Sequence, residues 1–351
     1  MHGTIRPVRE LVIVISDLYL EPGPDHAAAA AVEGPAALPS LEHIARFGES
    51  RALTEGWRTW IARWLGLPQY ADQTPASVAA AAAQVPAARA LWLARPLHLV
   101  AGLTSLHVDR RSLLRLERAE ADELAAGFAE TFRGSGLALH PLEGGEFLLS
   151  GPADAAPSIT TEPARLLLQP LAEALPAGEG GAALRRLGAE LEMWLHAHPL
   201  NARRLRRGAV PISTLWVWGG GAPAVARSAA SGQIAAAAFG SDAYVRGLWR
   251  IAGGEAAAMP VDWAAVLGDR RAQRALAVVE VAELLHAHPS WQLADAVAEI
   301  DRRLLSSSLA ALCRGELGRL VMVANDRSLS LRAADRWRLW RRRRAGLEGL
   351  A

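Results

Sequence analysis

The sequence predicts a mixed α/β fold, a mostly parallel sheet flanked by helices, with a small α+β segment inserted. Short β-branched apolar runs at Leu11 to Ser16, at Leu276 to Val281 and within GRLVMVAND read as strands buried on both faces. Stretches of helical periodicity lie between and after them, so strands and helices alternate. Residues 95–151 instead follow a β, β, α, β, β order, the mark of an inserted cap domain within a core of 1–94 and 152–351.

Leu11 to Ser16 ends on Asp17, at the carboxyl end of a strand, where open α/β sheets place their ligands. LPSLEHIARFGESRAL has Pro39 and Ser40 as a start signal and Gly48 as a stop, hence a helix. WRTWIARWLGL sets Trp57, Trp60, Ile61 and Trp64 at helical spacing, a stripe facing a core. LHLVAGL and TSLHV read as strands, and LERAEADELAAGFAETFRGSG as an amphipathic helix with Gly134 and Gly136 at its end. LALHPLEGGEFLLSG reads as a hairpin turned at Gly144-Gly145.

LGAELEMWLHAHP is helical and ends near Pro199, because proline restricts the residue before it and donates no hydrogen bond. VPISTLWVWGGGAP is a strand running into three glycines, and RALAVVEVAELL contains a further buried strand. AVAEIDRRLLSSSLAALCRG is a helix, and GRLVMVAND is the last strand, closing on Asp326.

Composition removes several classes of function. Of 351 residues 51% are hydrophobic and 21% charged, the balance of a folded globular chain rather than a disordered one. All 38 basic residues are arginine, which excludes a Schiff-base lysine and the lysine of a phosphate loop, so no nucleotide cofactor is expected. Arginine leaves many planar forks suited to phosphate or carboxylate. A formal charge of +2 demands no nucleic-acid partner. Cys313, the single cysteine, excludes an intrachain disulfide and a thiolate metal cage. The apolar run Leu11 to Ile15 is too short for a signal-peptide core or a membrane span, so a cytoplasmic location is expected. The alanine runs, 27–31 and 79–83, suggest codon bias and helix tolerance rather than function.

LHAHPLNARRLRRGAVPISTLWVWGGGAP resembles a motif of the archaeal-type cofactor-independent phosphoglycerate mutases of the alkaline phosphatase superfamily. The matching residues are His198-Pro199, Asn201, Arg204, Gly208, Pro211, Trp216, Trp218, Gly219, Gly221 and Pro223; Ser213 replaces an asparagine and Gly220 a glutamine. LPSLEHIARFG, LARPLHL and EIDRRLL resemble other parts of that family. The resemblance implies a divergent bacterial relative with an alkaline-phosphatase-like sheet. It also implies a chemistry in which two divalent metals hold a serine that carries phosphate between hydroxyls of a glycerate. Paired metals and arginines suit a phosphoryl group whose charge spreads over its oxygens in flight.

Asp17 matches the family's first-strand aspartate, with Leu18 in place of a glycine, and its alternative is a helix cap. Asp326 matches the aspartate of a closing Asp-His pair whose histidine is here Arg327, a side chain unable to ligate a cation. Glu283 with His286 or His288, in the second of two His-Ala-His-Pro segments, approximates a further ligand pair suited to Mn2+ or Zn2+. The alternative is two histidines ending a short helix before Pro289. The first such segment, with His196 and His198, suits a helix end, where the dipole favours histidine.

Ser77 stands in roughly the place of the expected nucleophile, with a helix cap as its favoured alternative; Thr74 is a poorer candidate. Arg95 and Arg204, with Asn201, fall on family substrate positions, and Arg246 and Arg250 cluster with Tyr244 and Trp249 as further anion-binding candidates.

With two ligand positions weakened and no histidine after Asp326, the expected function is a mutase-like protein that binds a small phosphorylated or carboxylated metabolite with little phosphoryl transfer. One alternative is an active metal-dependent mutase or phosphatase with an altered ligand set. The other is an interaction protein using the basic tail RWRLWRRRR.

Overall fold

Residues 10–20, 37–83, 85, 89–102, 105–221, 236–268, 273–337 and 346–350 are described by the structure, a computed structural model. The chain divides into two compact units: residues 1–65, 233–241 and 255–351 form the first, and 66–232 with 242–254 the second.

The first unit carries the expected α/β architecture. Its strands are β1 (Glu10–Ile15), β2 (Glu49–Ala52), β9 (Ala236–Phe239), β10 (Ala256–Ala257), β11 (Arg274–Val279), β12 (Arg319–Ala324) and β13 (Arg327–Leu331), in the order β10-β9-β11-β1-β12-β13-β2. The first five in that order are parallel, and β13 and β2 are antiparallel additions at one edge. Leu11, Ile13 and Ile15 on one face of β1 and Val12 and Val14 on the other are all buried, as a parallel strand covered on both sides requires. Helices α1 (Pro39–Phe47), α2 (Trp57–Leu65), α8 (Val281–Ala287), α9 (Leu293–Ile300) and α10 (Ser306–Cys313) belong to this unit. Leu41 and Ile44 of α1 and Val297 and Ile300 of α9 share one core with β1, β11 and β12.

Several boundaries differ from the sequence expectation, each for a local reason. The strand expected at Leu276 to Val281 ends at Val279, because the carboxylate of Asp17 takes the amides of Val281 and Ala282 and starts α8 there. The helix expected over AVAEIDRRLLSSSLAALCRG is interrupted by a π-turn at Asp301–Leu305, whose buried Asp301 accepts from the Ser40 and Leu41 amides of α1. Burial pushes the Asp301 carboxyl above the usual carboxylate range, against the lowering by those amides. The last strand does not close on Asp326: Asn325 and Asp326, at φ 49° and 52°, form a two-residue turn of the primed kind into β13. In α2, Trp57 and Ile61 are buried as expected, whereas Trp60 and Trp64 are half-exposed, stacked on each other, with the Arg274 guanidinium over Trp64.

The second unit is built on an antiparallel sheet of order β6-β7-β3-β8, from β3 (Ala90–Leu97), β6 (Ala138–Pro141), β7 (Phe147–Gly151) and β8 (Thr214–Gly221). It therefore extends on both sides of the 95–151 segment expected as an insert, because β8 pairs with β3 along its length. LHLVAGL and TSLHV contribute only the end of β3 and a two-residue pair, β4 (Val100–Ala101) with β5 (Leu106–His107). Helix α4 (Arg118–Thr131) and helix α5 (Gly181–Ala197) cover one face: Leu124, Phe128, Leu187 and Leu191 pack with Trp92, Phe147, Leu149 and Val217. The hairpin turn at Gly144-Gly145 is as expected, both glycines having positive φ.

Helices α3 (Pro75–Ala83) and α7 (Ala243–Ile251) pack against each other, and α3 also lies on the sheet. The alanine run of α3 has a packing role: a Cβ at Gly247 would fall 2.0 Å from the Val78 carbonyl oxygen, so the helix backbones touch where side chains are absent or small. The three glycines ending β8 form a bulge where the register with β3 shifts. A Cβ at Gly220 would lie 1.8 Å from the Leu91 oxygen, which is why this chain cannot carry a glutamine there.

Candidate functional site

Asp17 lies just beyond β1 and is 3% exposed. Its two carboxylate oxygens accept from the amides of Val281 at 2.7 Å and Ala282 at 2.8 Å, the first donors of α8. An aspartate from a neighbouring strand thus caps a helix whose own N-cap residue, Glu280, makes no side-chain cap bond. Of the other metal candidates, Glu283 is exposed on the first turn of α8 and His286 half-buried on its last. His288 is exposed and its ring stacks on Trp291 at 3.8 Å. Asp326 sits in the β12–β13 turn, where its carbonyl accepts from the Leu53 amide. Among the described residues no three His, Cys, Asp or Glu side chains gather as a group able to hold a metal ion. The donors among the described residues therefore do not fit the paired metals that the resemblance implied.

Sequence reasoning missed Asn325, which organises this end of the sheet. Its amide oxygen accepts from Leu20 N, its side-chain nitrogen donates to the Leu350 carbonyl, and its backbone N–H donates to Leu18. An Asn-Asp pair between two β-rich runs was the available signal.

In the second unit, Ser77 is on the first turn of α3. Thr74 precedes that helix, and its hydroxyl lies 2.7 Å from Ser77 Oγ and accepts weakly from the Ser77 amide. Gly219, at the β8 bulge, approaches Pro75 of the same turn and donates its N–H to Thr160 Oγ1.

Asn201 and Arg204 belong to α6 (Pro199–Arg206) and are both buried. Asn201 donates to the carbonyls of Leu195 and Ile212 and accepts from Ile212 N, all at 2.8 Å, tying α5, α6 and the approach to β8. Arg204 donates to the Val210 carbonyl and pairs at 2.7 Å with Glu120 of α4, whose other oxygen takes Arg207. Both hold the unit together through these bonds. Ser213, standing in the place of the family asparagine, accepts from Leu99 N at 3.0 Å.

His198 joins α5 to α6, at the helix end expected near Pro199. Its Nδ1 accepts from Leu200 N, so the ring caps α6 only while that nitrogen is unprotonated. Burial lowers its pKa, with Glu123 opposing and Arg203 assisting. Because the native pKa lies below the ordinary 6.5, the cap contributes fully above pH 6.5 and is lost as pH falls from there through the lowered native value. Thermal unfolding from pH 8 to 5 is expected to show this acid-side loss, and His198→Asn, which caps without titrating, to lose less over the same interval.

Arg95 projects from β3 and pairs with Glu146 at 3.0 Å, both side chains largely buried. Arg246 on α7 pairs with Glu143, and Arg250, one turn further, is exposed. Arg95 and Arg246 thus meet the two glutamates that bracket the β6–β7 turn.

No protein-family model matches the sequence. A stretch of 86 residues is 36% identical to the probable 2,3-bisphosphoglycerate-independent phosphoglycerate mutase of Geobacter sulfurreducens, over 24% of this chain. The similarity is to a phosphoglycerate mutase. It spans 22% of that relative's length. The PH0037 protein from Pyrococcus horikoshii aligns over 98% of this chain and 92% of its own, with a TM-score of 0.50 and 14% identity, a likeness of fold. The cofactor-independent phosphoglycerate mutase from Thermoplasma acidophilum aligns over 92% of this chain and 90% of its own, at 17% identity and a TM-score of 0.37. The chain has the expected α/β class, a large mostly parallel sheet flanked by helices, and shares that fold with the PH0037 protein. No helix among the described residues is long and apolar enough to cross a membrane.

Proposed function

We propose that this chain is a cytoplasmic phosphoglycerate-mutase-like protein that binds a small phosphorylated or carboxylated metabolite, with little or no phosphoryl transfer. Binding without turnover suits a regulatory role. The observation that carries this reading is the commitment of Asp17: each oxygen of the best-matched metal ligand is bonded to an amide of α8. A metal that pulled this carboxylate away would leave two buried donors without their acceptor, a cost that falls on the fold itself. Arg327 supports the same reading, since β13 begins with it where the family places a histidine ligand. The arginines toward which a metabolite would turn its anionic oxygens are Arg95 and Arg246, with Arg250 beside them. The basic tail offered as an interaction surface spans 336–344, of which 338–344 lie outside the described residues.

Purified protein is expected to carry no stoichiometric metal after exposure to manganese, and to show no mutase or phosphatase turnover above background. Stoichiometric manganese, together with turnover abolished in Ser77→Ala, would overturn the reading in favour of an active enzyme with an altered ligand set.

A further inference from the structure

We propose that the β6–β7 turn is a tethered substitute for the anionic ligand. Glu146 and Glu143 occupy the guanidinium groups of Arg95 and Arg246, so that a phosphate or carboxylate binds only by displacing them. The proposal rests on the functional reading above and adds how that site is regulated.

The two glutamates stand at either side of Gly144-Gly145, whose φ of 95° and 79° turns the chain back. Leu142 N donates to the Glu146 carbonyl at 2.8 Å and closes the hairpin. One tight turn therefore presents two carboxylates, and they meet arginines from separate elements, β3 and α7. A small molecule bearing two anionic groups would replace both carboxylates of this turn at once. A carboxylate and a phosphate offer arginine the same feature, paired oxygens accepting from a planar fork.

The pairs differ in how readily they yield. Arg95 and Glu146 have side chains only 9% and 12% exposed, whereas Glu143 is 66% exposed against 22% for Arg246. An exposed pair contributes little, so Glu143 gives way first and the ligand enters at Arg246. Displacing Glu146 then admits the ligand to Arg95. The turn backbone stays in place, because Gly145 is seated against Leu116, where even a Cβ would come within 2.4 Å of the backbone nitrogen. Displacement is a swing of glutamate side chains and requires no opening of a lid. Tethering keeps the competitor at high effective concentration, which sets a threshold below which free anion does not enter.

Isothermal titration of the full chain with inorganic phosphate and with malonate, at fixed ionic strength, tests this. The double variant Glu143→Gln/Glu146→Gln is expected to bind phosphate about five- to tenfold more tightly than the unmodified chain, a factor set by removing charged competitors of modest strength. Glu143→Gln alone, which leaves the buried pair intact, is expected to give roughly a twofold gain. Arg246→Gln in the double-variant background is expected to remove that gain. A larger gain for phosphate than for malonate assigns the site to phosphorylated ligands, the reverse to carboxylated ones. Melting curves confirm that each variant is folded, and Glu143→Gln decides alone should the double variant not fold. Affinity for both anions unchanged by these substitutions, or no binding of either anion by any variant, overturns the proposal. Unchanged affinity fails this proposal alone; the functional reading fails on bound manganese with turnover, and no anion binding by any variant counts against both.

Discussion

Arg204→Met is expected to destabilise the chain by about 3 kcal/mol while leaving its affinity for anions unchanged. Removing one partner of a buried ion pair typically costs about 3–5 kcal/mol, because the other charge is left without compensation in a poorly solvated place. Here the stranded group is Glu120, buried against α6, and the lower end applies because Arg207 still holds its second oxygen. The Arg204 Nε bond to the Val210 carbonyl is lost as well. Urea denaturation measures the loss, and phosphate titration of the folded variant measures the affinity. Glu120→Gln combined with Arg204→Met is expected to recover part of the stability, since no buried charge then remains unpaired. A stable Arg204→Met variant with weakened anion binding would return Arg204 to the substrate site that its motif position suggested.

Asp17→Ala is expected to lower stability by about 2–4 kcal/mol, the combined effect of losing a helix cap and two hydrogen bonds to a charged acceptor. The consequence is local: the amides of Val281 and Ala282 lose their partners, and α8 loses the negative charge at its amino end. Asp17→Asn is expected to lose less, since its carbonyl oxygen still accepts from one of the amides. Millimolar manganese is expected to leave the melting temperature of the unmodified chain in place, because a ligand raises stability only by binding the folded state. A rise in melting temperature with manganese that disappears in Asp17→Ala would make Asp17 a metal ligand. Chemical denaturation supplies the first number and a metal titration of the melting temperature the second.

Both predictions concern residues that a motif singled out and that the fold uses structurally. Asp17 was read as a metal ligand and Asn201 and Arg204 as substrate-binding residues; all three are buried and hydrogen-bonded within the fold. Their partners were not legible. Glu120 is 84 residues from Arg204, Val281 is 264 from Asp17, and nothing local in either stretch announces the other. The same holds for Glu143 and Glu146: they read as turn residues beside two glycines, and only the packing of β3 and α7 against that turn brings Arg95 and Arg246 to them.

The two His-Ala-His-Pro segments make the point within one motif. The sequence reading took the first as a helix end and the second as a metal candidate whose alternative was a helix end; both close helices, and proline explains why each helix stops. Structure then distinguishes the histidines by their neighbours: His198 becomes a cap for the next helix, whereas His288 stacks on Trp291.

What the sequence determined by itself was the class of fold, the strands at Leu11, Leu276 and Leu320, the helix at Pro39 and the Gly144-Gly145 turn. Each depends on periodicity, proline, glycine or β-branched residues within a few positions, which act over the range of one helical turn or one strand. Only the tertiary structure decided that β8 joins β3, that Asn325-Asp326 turns into a further strand, and that the Asp17 carboxylate caps α8. The physical reason is that a carboxylate has one chemistry and several possible partners, and the partner is chosen by which donors the folded chain carries to within 3 Å of it.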